Sequence, residues 1–312
     1  ASADEFMVEN SGIAGITIAS GTSSTGNIFF ADSGDSAIGQ ISYNHSGDAV
    51  SFVVGGNKTP LKLDSNSRIS LSNNDSSGAV GTTLLGYSAG ANIVSGAINN
   101  TFIGHAVSDA TMTNAADNNV GVGYNALSAL TTGGDNVAIG SGAMDSTTTS
   151  GKTVAIGFEA ASNLAAGIDG CVAIGYQALD AAVSAGHYTI AIGQSALGAL
   201  TSGDDNIAIG YQAGDALTSQ GGNTLVGYTA GGALTTGDGE NTFIGNDSGN
   251  ALTIGQRNVA IGFESFTAGA VESNDNVAIG HRALNSTGTA AIGGSTAIGA
   301  GTLTALNHAD AA

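Results

Sequence analysis

The chain contains few of the residues that other proteins use to cross-link themselves or to bind nucleic acids. Its 312 residues include no Trp, one Pro, one Cys and only six Lys and Arg against 25 Asp and Glu. The single cysteine, Cys171, cannot form a disulfide within the chain. The net charge of −19 argues against binding to nucleic acid or to an anionic membrane surface, because both need a basic face.

Long apolar runs are also missing. No stretch approaches the ~18 consecutive apolar residues of a membrane-spanning helix, so the sequence predicts no membrane insertion. The chain is nevertheless 42% apolar and only 10% charged, which argues against disorder. The chain contains 50 glycines, which do not follow the triplet period of collagen. This composition predicts tight turns and slim strands.

A five-residue unit organises most of the sequence. Asn136–Gly140 reads Asn-Val-Ala-Ile-Gly, and the same unit returns at Asn258–Gly262 and Asn276–Gly280. Self-similarity at a short, nearly fixed period is typical of a solenoid, in which each coil stacks on the one before it. Thirteen anchor glycines, 17 to 19 residues apart, mark the coils: Gly86, Gly104, Gly123, Gly140, Gly157, Gly175, Gly193, Gly210, Gly227, Gly245, Gly262, Gly280 and Gly299.

The residues before each anchor predict a short strand. The residue before the glycine is always Leu, Ile or Val, and the residue three before it is always Val, Ile or Thr. Side chains alternate across a strand, so these branched positions share one face and the residue between them, Ala in eight coils, lies on the other. We expect the branched face to fill the coil interior and the Ala face to contact further copies of the chain. A second short strand is predicted after the anchor, as at Ala178-Leu179.

Residues 1–78 lack the repeat and predict a separate β-rich module. Short β-rich runs alternate there with Gly, Ser, Asn and Asp clusters, and Asn44–Asp48 between two such runs predicts a hairpin. The expected fold is therefore all-β. A small antiparallel module at 1–78 is followed at 79–312 by a parallel β-roll or β-solenoid of about 13 coils, assembled as a homotrimer.

One polar column stands out four residues before the anchors. Stacked Asn side chains can form a hydrogen-bonded ladder, which predicts a structural role for this column. Cys171 occupies the same column and is interpreted as a packed thiol, because a catalytic cysteine needs a His partner and His187 is about one coil away. The ladder residues are Asn100, Asn119, Asn136, Asn206, Asn223, Asn241, Asn258 and Asn276.

A second column, directly after the anchors, is rich in aromatic residues. Stacked coils would turn it into a ladder of rings. Such a ladder either packs at a corner of the solenoid or offers a surface for sugars. The candidate surface-binding residues are Tyr124, Tyr176, Tyr211 and Tyr228.

The sequence offers no catalytic residues and no metal-binding motif. Acidic residues gather in turns, for example at Asp135 and Asp204-Asp205, and calcium is the cofactor that their oxygens would suit, although the Gly-Gly-x-Gly-x-Asp motif is absent. The histidines lack metal-ligand spacing. Glycoside cleavage requires two acids on one face, and none stand out within the predicted strands. We therefore expect no enzymatic activity and no resident cofactor.

The repeat resembles two groups of fibrous proteins. Asn-Val-Ala-Ile-Gly is similar to the head repeats of trimeric autotransporter adhesins, which form left-handed parallel β-rolls packed three at a time. The longer unit at 206–219, Asn-Ile-Ala-Ile-Gly-Tyr-Gln-Ala-Gly-Asp-Ala-Leu-Thr-Ser, looks more like repeats of bacteriophage tail fibres and related virion appendages. Segments of the first module, including 17–21 and 40–48, are similar to segments that recur in such fibres.

The resemblance implies a structural, trimeric fibre protein, in particular a phage tail-fibre segment that mediates attachment to a host surface. It implies three kinds of partner, namely further copies of the chain, a host cell-surface glycan or protein, and other tail components of the virion. The location would be the virion, or else the extracellular space or cell surface. The alternatives are the head of a bacterial trimeric surface adhesin, a polysaccharide-cleaving tailspike and a self-assembling extracellular fibre.

Overall fold

The protein is described by a computed structural model that covers residues 16–31, 34, 39–54, 58–63, 69–71, 81–184, 186–267, 273–285 and 292–304. The chain divides into two compact units, Ala1–Ser76 and Ser77–Ala312. The predicted domain boundary between residues 78 and 79 lies outside the described residues. Within the described ranges, every regular secondary-structure element is a β-strand, as the all-β prediction requires.

The first unit contains an antiparallel sheet in which each strand pairs with the next along the chain. Its strands are β1 (Thr25–Phe30), β2 (Gly39–Asn44), β3 (Ala49–Val54), β4 (Lys58–Leu63) and β5 (Ile69–Leu71). The hairpin predicted at Asn44–Asp48 is confirmed between β2 and β3. Asn44 Oδ1 accepts the backbone N–H groups of Ser46 at 2.9 Å and Gly47 at 3.1 Å, which fixes the turn.

The second unit is a parallel β-solenoid, which confirms the predicted order of the two β architectures. Its strands are β6 (Thr83–Leu85), β7 (Thr101–Ile103), β8 (Val120–Val122), β9 (Val137–Ile139), β10 (Val154–Ile156), β11 (Val172–Ile174), β12 (Ile190–Ile192), β13 (Ile207–Ile209), β14 (Thr224–Val226), β15 (Thr236–Gly239), β16 (Thr242–Ile244), β17 (Ile254–Gln256), β18 (Val259–Ile261), β19 (Ser273–Asn274), β20 (Val277–Ile279) and β21 (Thr296–Ile298). Thirteen of them form one in-register parallel sheet, while β15, β17 and β19 form a second, three-stranded sheet.

An anchor glycine follows each strand of the long sheet. This residue is glycine because neighbouring coils approach each other too closely there for a side chain. Gly210 follows β13 with a φ of 142°, and its N–H donates to the carbonyl of Ile192 at 2.8 Å. A Cβ atom on Gly210 would overlap the carbonyl oxygen of Gly227 in the next coil. The same relationship joins each anchor to the next from Gly86 to Gly299. Glycine alone satisfies both the φ angle and the approach.

The structure reverses the predicted facing of the strand residues. Ala208, in the middle of β13, is fully buried inside the coil, whereas Ile207 and Ile209 point outward and are only partly covered. The coil is thin, and Leu side chains such as Leu197 and Leu217 already occupy its interior, so the strand can add little more than a methyl group. The sequence interpretation of the Ala column as the contact face between chains is therefore wrong.

An exception to the Ala column shows that the volume inside the coil stays nearly constant. Phe243 takes the position of Ala in β16 and is fully buried. The facing position in the same coil is Gly249, where an added Cβ would overlap the Phe243 ring. A large residue on the strand is thus matched by a missing side chain opposite, as close packing requires.

The second strand predicted after the anchor is also wrong. Residues such as Ala178 and Leu179 lie in a turn, and Leu179 has a φ of 53°. Both side chains are fully buried. A strand would send consecutive side chains to opposite faces, whereas the left-handed conformation at Leu179 lets both point into the interior.

Candidate functional surfaces

The outer face of the long sheet is a continuous apolar surface. Each of its thirteen strands presents two outward positions, which are Val, Ile, Leu or Thr throughout. In-register pairing stacks these residues into two straight columns, for example Val137 over Val154 and Ile139 over Ile156. Several of these side chains are more than a third exposed, among them Ile139, Ile209 and Ile261. Branched side chains in this number normally lie buried in a parallel sheet, so the face lacks a cover in the single chain.

A second outward surface is the ring column, formed by the residues directly after the anchors. The four tyrosines predicted as surface-binding candidates all lie in it and are exposed: Tyr124 by 55%, Tyr176 by 49%, Tyr211 by 38% and Tyr228 by 52%. Rings in adjacent coils stack with their planes nearly parallel. The stacked pairs are Tyr87–His105, His105–Tyr124, Phe158–Tyr176, Tyr211–Tyr228 and Phe263–His281, with centroids 5.0 to 5.4 Å apart.

The ring column is interrupted at regular intervals by coils that carry a small or polar residue instead. These residues are Ser141, Gln194 and Asn246, and each has a ring in the coil before it and in the coil after it. The backbone continues through the interruptions without a change of register. The N–H of Gly142 donates to Tyr124 O at 2.9 Å, and the N–H of Glu159 donates to Ser141 O at 2.9 Å. Only the ring is missing at these places.

Beside the rings runs a polar column that the sequence reasoning missed. Its residues follow the rings and adopt left-handed backbone conformations, such as Glu159 with a φ of 51°. They contact one another between coils: Gln177 Nε2 donates to Glu159 Oε2 at 2.8 Å, and Arg282 Nε lies 2.6 Å from Glu264 Oε2. Aligning the repeats would have placed these residues in one column, but the turn conformation that points them outward is not visible in the sequence.

An open groove of about 650 Å³ lies beside this polar column in the C-terminal described coils. Its charged groups are already engaged, because Glu264 pairs with Arg282 and Asp247 Oδ1 accepts hydrogen bonds from Thr229 Oγ1 and from Asn250 Nδ2. Sequence reasoning did not find this groove, since its walls come from several successive coils. The lining residues are Asp247, Asn250, Ala251, Glu264, Thr267, Arg282, Asn285 and Thr304.

The eight Asn residues of the predicted ladder lie fully buried in one interior column. They form two hydrogen-bonded runs, 100–119–136 and 206–223–241–258–276, with Nδ2 to Oδ1 distances of 2.9 to 3.1 Å between successive members. In addition, Asn241 Nδ2 donates to Gly255 O at 2.9 Å, and Asn241 Oδ1 accepts the N–H of Asn258 at 3.1 Å. Within each run, the column thereby ties successive coils together.

Cys171 lies between the two runs of the ladder and is fully buried. Its thiol donates to the carbonyl of Gly186 at 3.1 Å, and burial raises the pKa of the thiol. The Nδ1 atom of His187 accepts the N–H of Asp169 at 3.2 Å. A raised pKa and a buried sulfur disfavour the reactive thiolate, so this position acts as a packing site.

Turn carboxylates form contacts between coils. Asp135 Oδ1 accepts a hydrogen bond from Asn118 Nδ2 at 3.1 Å, and Asp204 Oδ1 accepts the N–H of His187 at 2.9 Å. Arg257 Nε lies 2.7 Å from Asp275 Oδ1. Within the described ranges, no group of three or more His, Cys, Asp or Glu side chains could hold a metal ion.

Another set of carboxylates lies five residues after alternate anchors. Burial is the main cause that raises the pKa values of Asp145, Asp180 and Asp215. For Asp145 and Asp180, the nearby negative charge of Glu159 raises the pKa further. These groups therefore keep their protons more readily than exposed carboxylates do.

Comparisons with known proteins add no family to these observations. No family model, no characterised protein and no solved structure matches the chain. In the part of the chain that the structure describes, no helix has the length and apolar character needed to cross a membrane.

Proposed function

We propose that this chain is a non-enzymatic structural segment of a trimeric fibre, in particular of a phage tail fibre that attaches the virion to a host surface. The observation that carries the proposal is the uncovered outer face of the long sheet. If three chains turned these faces toward a common axis, they would bury the two outward columns of Val, Ile, Leu and Thr side chains together. The assembly would have a stiff shaft whose ring columns and turns are available for contacts.

The size of the outer face supports an interface. Thirteen strands at ~4.8 Å spacing give a band about 60 Å long, and two outward residues per strand make it ~10 Å wide. The resulting area, on the order of 600 Å², lies at the upper end of apolar patches on monomers. It approaches the ~800 Å² that each partner buries in a stable complex. Burial of this band would stabilise the folded chain further, so the stability of the assembly would rise with protein concentration.

The proposed assembly contains three chains because the repeat resembles those of trimeric adhesin heads and phage fibres. A trimer presents each surface site three times, so weak contacts with a host glycan or protein gain avidity. The partners under this proposal are two further copies of the chain, a host-surface molecule and the adjoining tail components. The location is the virion.

Light scattering on the purified chain tests the assembly. We expect a native mass near three times the chain mass of 30.1 kDa. A folded monomer or dimer would contradict the trimer, and reducing ends released from host polysaccharide would contradict the non-enzymatic role. The neighbouring genes test the origin: virion tail genes support a phage fibre, whereas an encoded stalk and membrane anchor support a bacterial adhesin.

A further inference from the structure

We infer that the three interruptions of the ring column are binding slots for neutral pyranose rings of a surface glycan. This inference rests on the proposed role in attachment and names the chemical class of the ligand. Each slot has two aromatic walls and a polar residue on the coil between them. The slots are Tyr124–Ser141–Phe158, Tyr176–Gln194–Tyr211 and Tyr228–Asn246–Phe263.

The height of the slot follows from the solenoid. Rings in adjacent coils have centroids 5.0 to 5.4 Å apart, so two rings separated by one ringless coil face each other at roughly 10 Å. A flat ring between two aromatic faces needs only ~7.5 Å, twice the optimal carbon–carbon separation. The remaining space suits a thicker, puckered ring with axial hydrogens. A pyranose chair meets this requirement better than a nucleobase or an aromatic side chain.

The walls and the polar residues between and beside them have the chemistry that a sugar needs. The six wall residues are 38 to 55% exposed, and their electron-rich faces attract C–H groups. Gln194 and Asn246, on the coils between the walls, are exposed, and Ser141 is half-buried. A polar residue follows the second wall of every slot, namely Glu159, Gln212 or Glu264, each with a φ of 47° to 51°. These polar groups lie beside each slot. Glu159 and Glu264 contact Gln177 and Arg282 of the next coil through Oε2. Their second carboxylate oxygens and the amide of Gln212 suit the equatorial hydroxyls at the rim of the sugar.

Charge and shape narrow the ligand further. The net charge of −19 disfavours acidic sugars and nucleic acids. A sugar held between two rings must present C–H groups on both faces. Gluco-configured pyranoses meet this condition because their hydroxyls are equatorial, whereas a galacto-configured ring places one hydroxyl against an aromatic wall.

The test uses the full chain and cellotetraose, a neutral gluco-configured probe. The chain has no Trp, and five of its seven Tyr lie in the ring column, so Tyr fluorescence reports on the slots. We expect saturable binding with a Kd in the millimolar range, ~1 mM, and saturation transfer to the probe in NMR spectra. Galactotetraose, the matched control, should bind at least ~10-fold more weakly because of its axial hydroxyl. Equal binding of the two probes, or no binding of cellotetraose, would overturn the inference.

A slot-filling variant separates a slot from a generally adhesive aromatic surface. The triple variant Ser141→Tyr, Gln194→Tyr, Asn246→Tyr continues the ring column without a break. We expect it to lose at least ~10-fold in affinity although it gains three rings. Unchanged or stronger binding would show that no slot is used.

If the triple variant does not fold, two single variants test one slot instead. Tyr176→Ala and Tyr211→Ala each remove one wall of the same slot, and each should lower the number of bound probes by about a third. The control Tyr188→Ala removes an exposed ring outside the column and should bind normally.

Failure of this inference and failure of the proposed function are distinguishable. One chain builds each slot, so cellotetraose can bind even if the native mass is that of a monomer. A trimer that ignores cellotetraose would overturn only the slots. A trimer whose tyrosines are shielded from an added quencher would show that the ring column belongs to the interface, which also overturns the slots.

Discussion

Ala208 and Ile209 are consecutive residues of β13 that face opposite sides of the sheet. Ala208 is fully buried in the coil interior, and Ile209 is 38% exposed on the outer face. The two positions therefore serve different levels of structure. One supports the packing of the single chain, and the other forms the surface proposed to join three chains.

Charges at these two positions should have different effects. Ile209→Asp places a carboxylate on the outer face, which the proposed trimer would bury without a partner at a cost of several kcal/mol. We expect a folded chain with a native mass near 30.1 kDa and an unchanged β-type circular dichroism spectrum. Asn246→Asp, an equal charge change at an exposed residue outside the sheet, should leave the trimer intact. A trimer of Ile209→Asp would contradict the interface.

Ala208→Asp should damage the solenoid itself. The carboxylate would enter an interior filled by residues such as Leu197 and Leu217, where it has neither space nor water. We expect loss of β-type circular dichroism and rapid proteolysis of the repeat region. Folded monomers of this variant would restore the Ala column as the contact face and refute the inward orientation.

The Asn ladder should contribute more to stability than exposed amides do. Asn241→Leu removes hydrogen bonds to Asn223, Gly255 and Asn258 and leaves buried polar groups without partners. Each such group costs ~1–3 kcal/mol, so we expect a loss of about 3 kcal/mol in the free energy of unfolding. Denaturant titration at one protein concentration measures it. The same substitution at exposed Asn246 is the control, and equal losses would mean that the ladder adds nothing.

The anchor glycines should tolerate no side chain. Gly210→Ala combines a φ of 142° with overlap of the Gly227 carbonyl oxygen, and we expect it to cost more than ~3 kcal/mol. Gly167→Ala is the matched control, because Gly167 has a φ of 81° but nothing within 4 Å of an added Cβ. Its loss should stay near the ~1–2 kcal/mol of backbone strain. Thermal unfolding of both variants tests the difference, and similar losses would argue against the close approach of coils.

The pH dependence of stability should reflect the partly buried carboxylates. The pKa values of Asp145, Asp180 and Asp215 lie above the ordinary 3.8, so the folded chain binds protons that the unfolded chain releases. The free energy of unfolding from these groups therefore falls as pH rises through their folded pKa values. We expect the triple Asp→Asn variant to lose this slope when unfolding is measured between about pH 7 and about pH 4.

One exposed pair acts in the opposite direction and must be controlled. Arg257 lowers the pKa of Asp275, so the contribution of that pair is lost as pH falls. Asp275→Asn in both backgrounds removes it from the comparison. Identical pH slopes with and without Asp145, Asp180 and Asp215 would show that their burial has no energetic consequence.

The sequence by itself determined the all-β class, the order of the two β units and the register in which the coils stack. A strand of three residues that ends at a glycine repeats every 17 to 19 residues, and this period is enough to place Asn241 over Asn223 and Tyr228 over Tyr211. Periodicity works here because each coil contacts only its neighbours, so an alignment of repeats is also a map of contacts. The hairpin at Asn44–Asp48 could be predicted from the sequence for a similar reason, because residues next to one another specify the turn.

Only the tertiary structure decided which face of the strand is inside. Alternation divides Ala208 from Ile209, but the choice between them depends on the space left by Leu197 and Leu217, which reach the interior from other parts of the coils. The left-handed turns at residues such as Leu179 and Glu159 were equally invisible, because their strain is offset by stacking between coils rather than by local sequence. Local pattern fixes the two sides of a strand, and the volume available inside the coil selects the buried one.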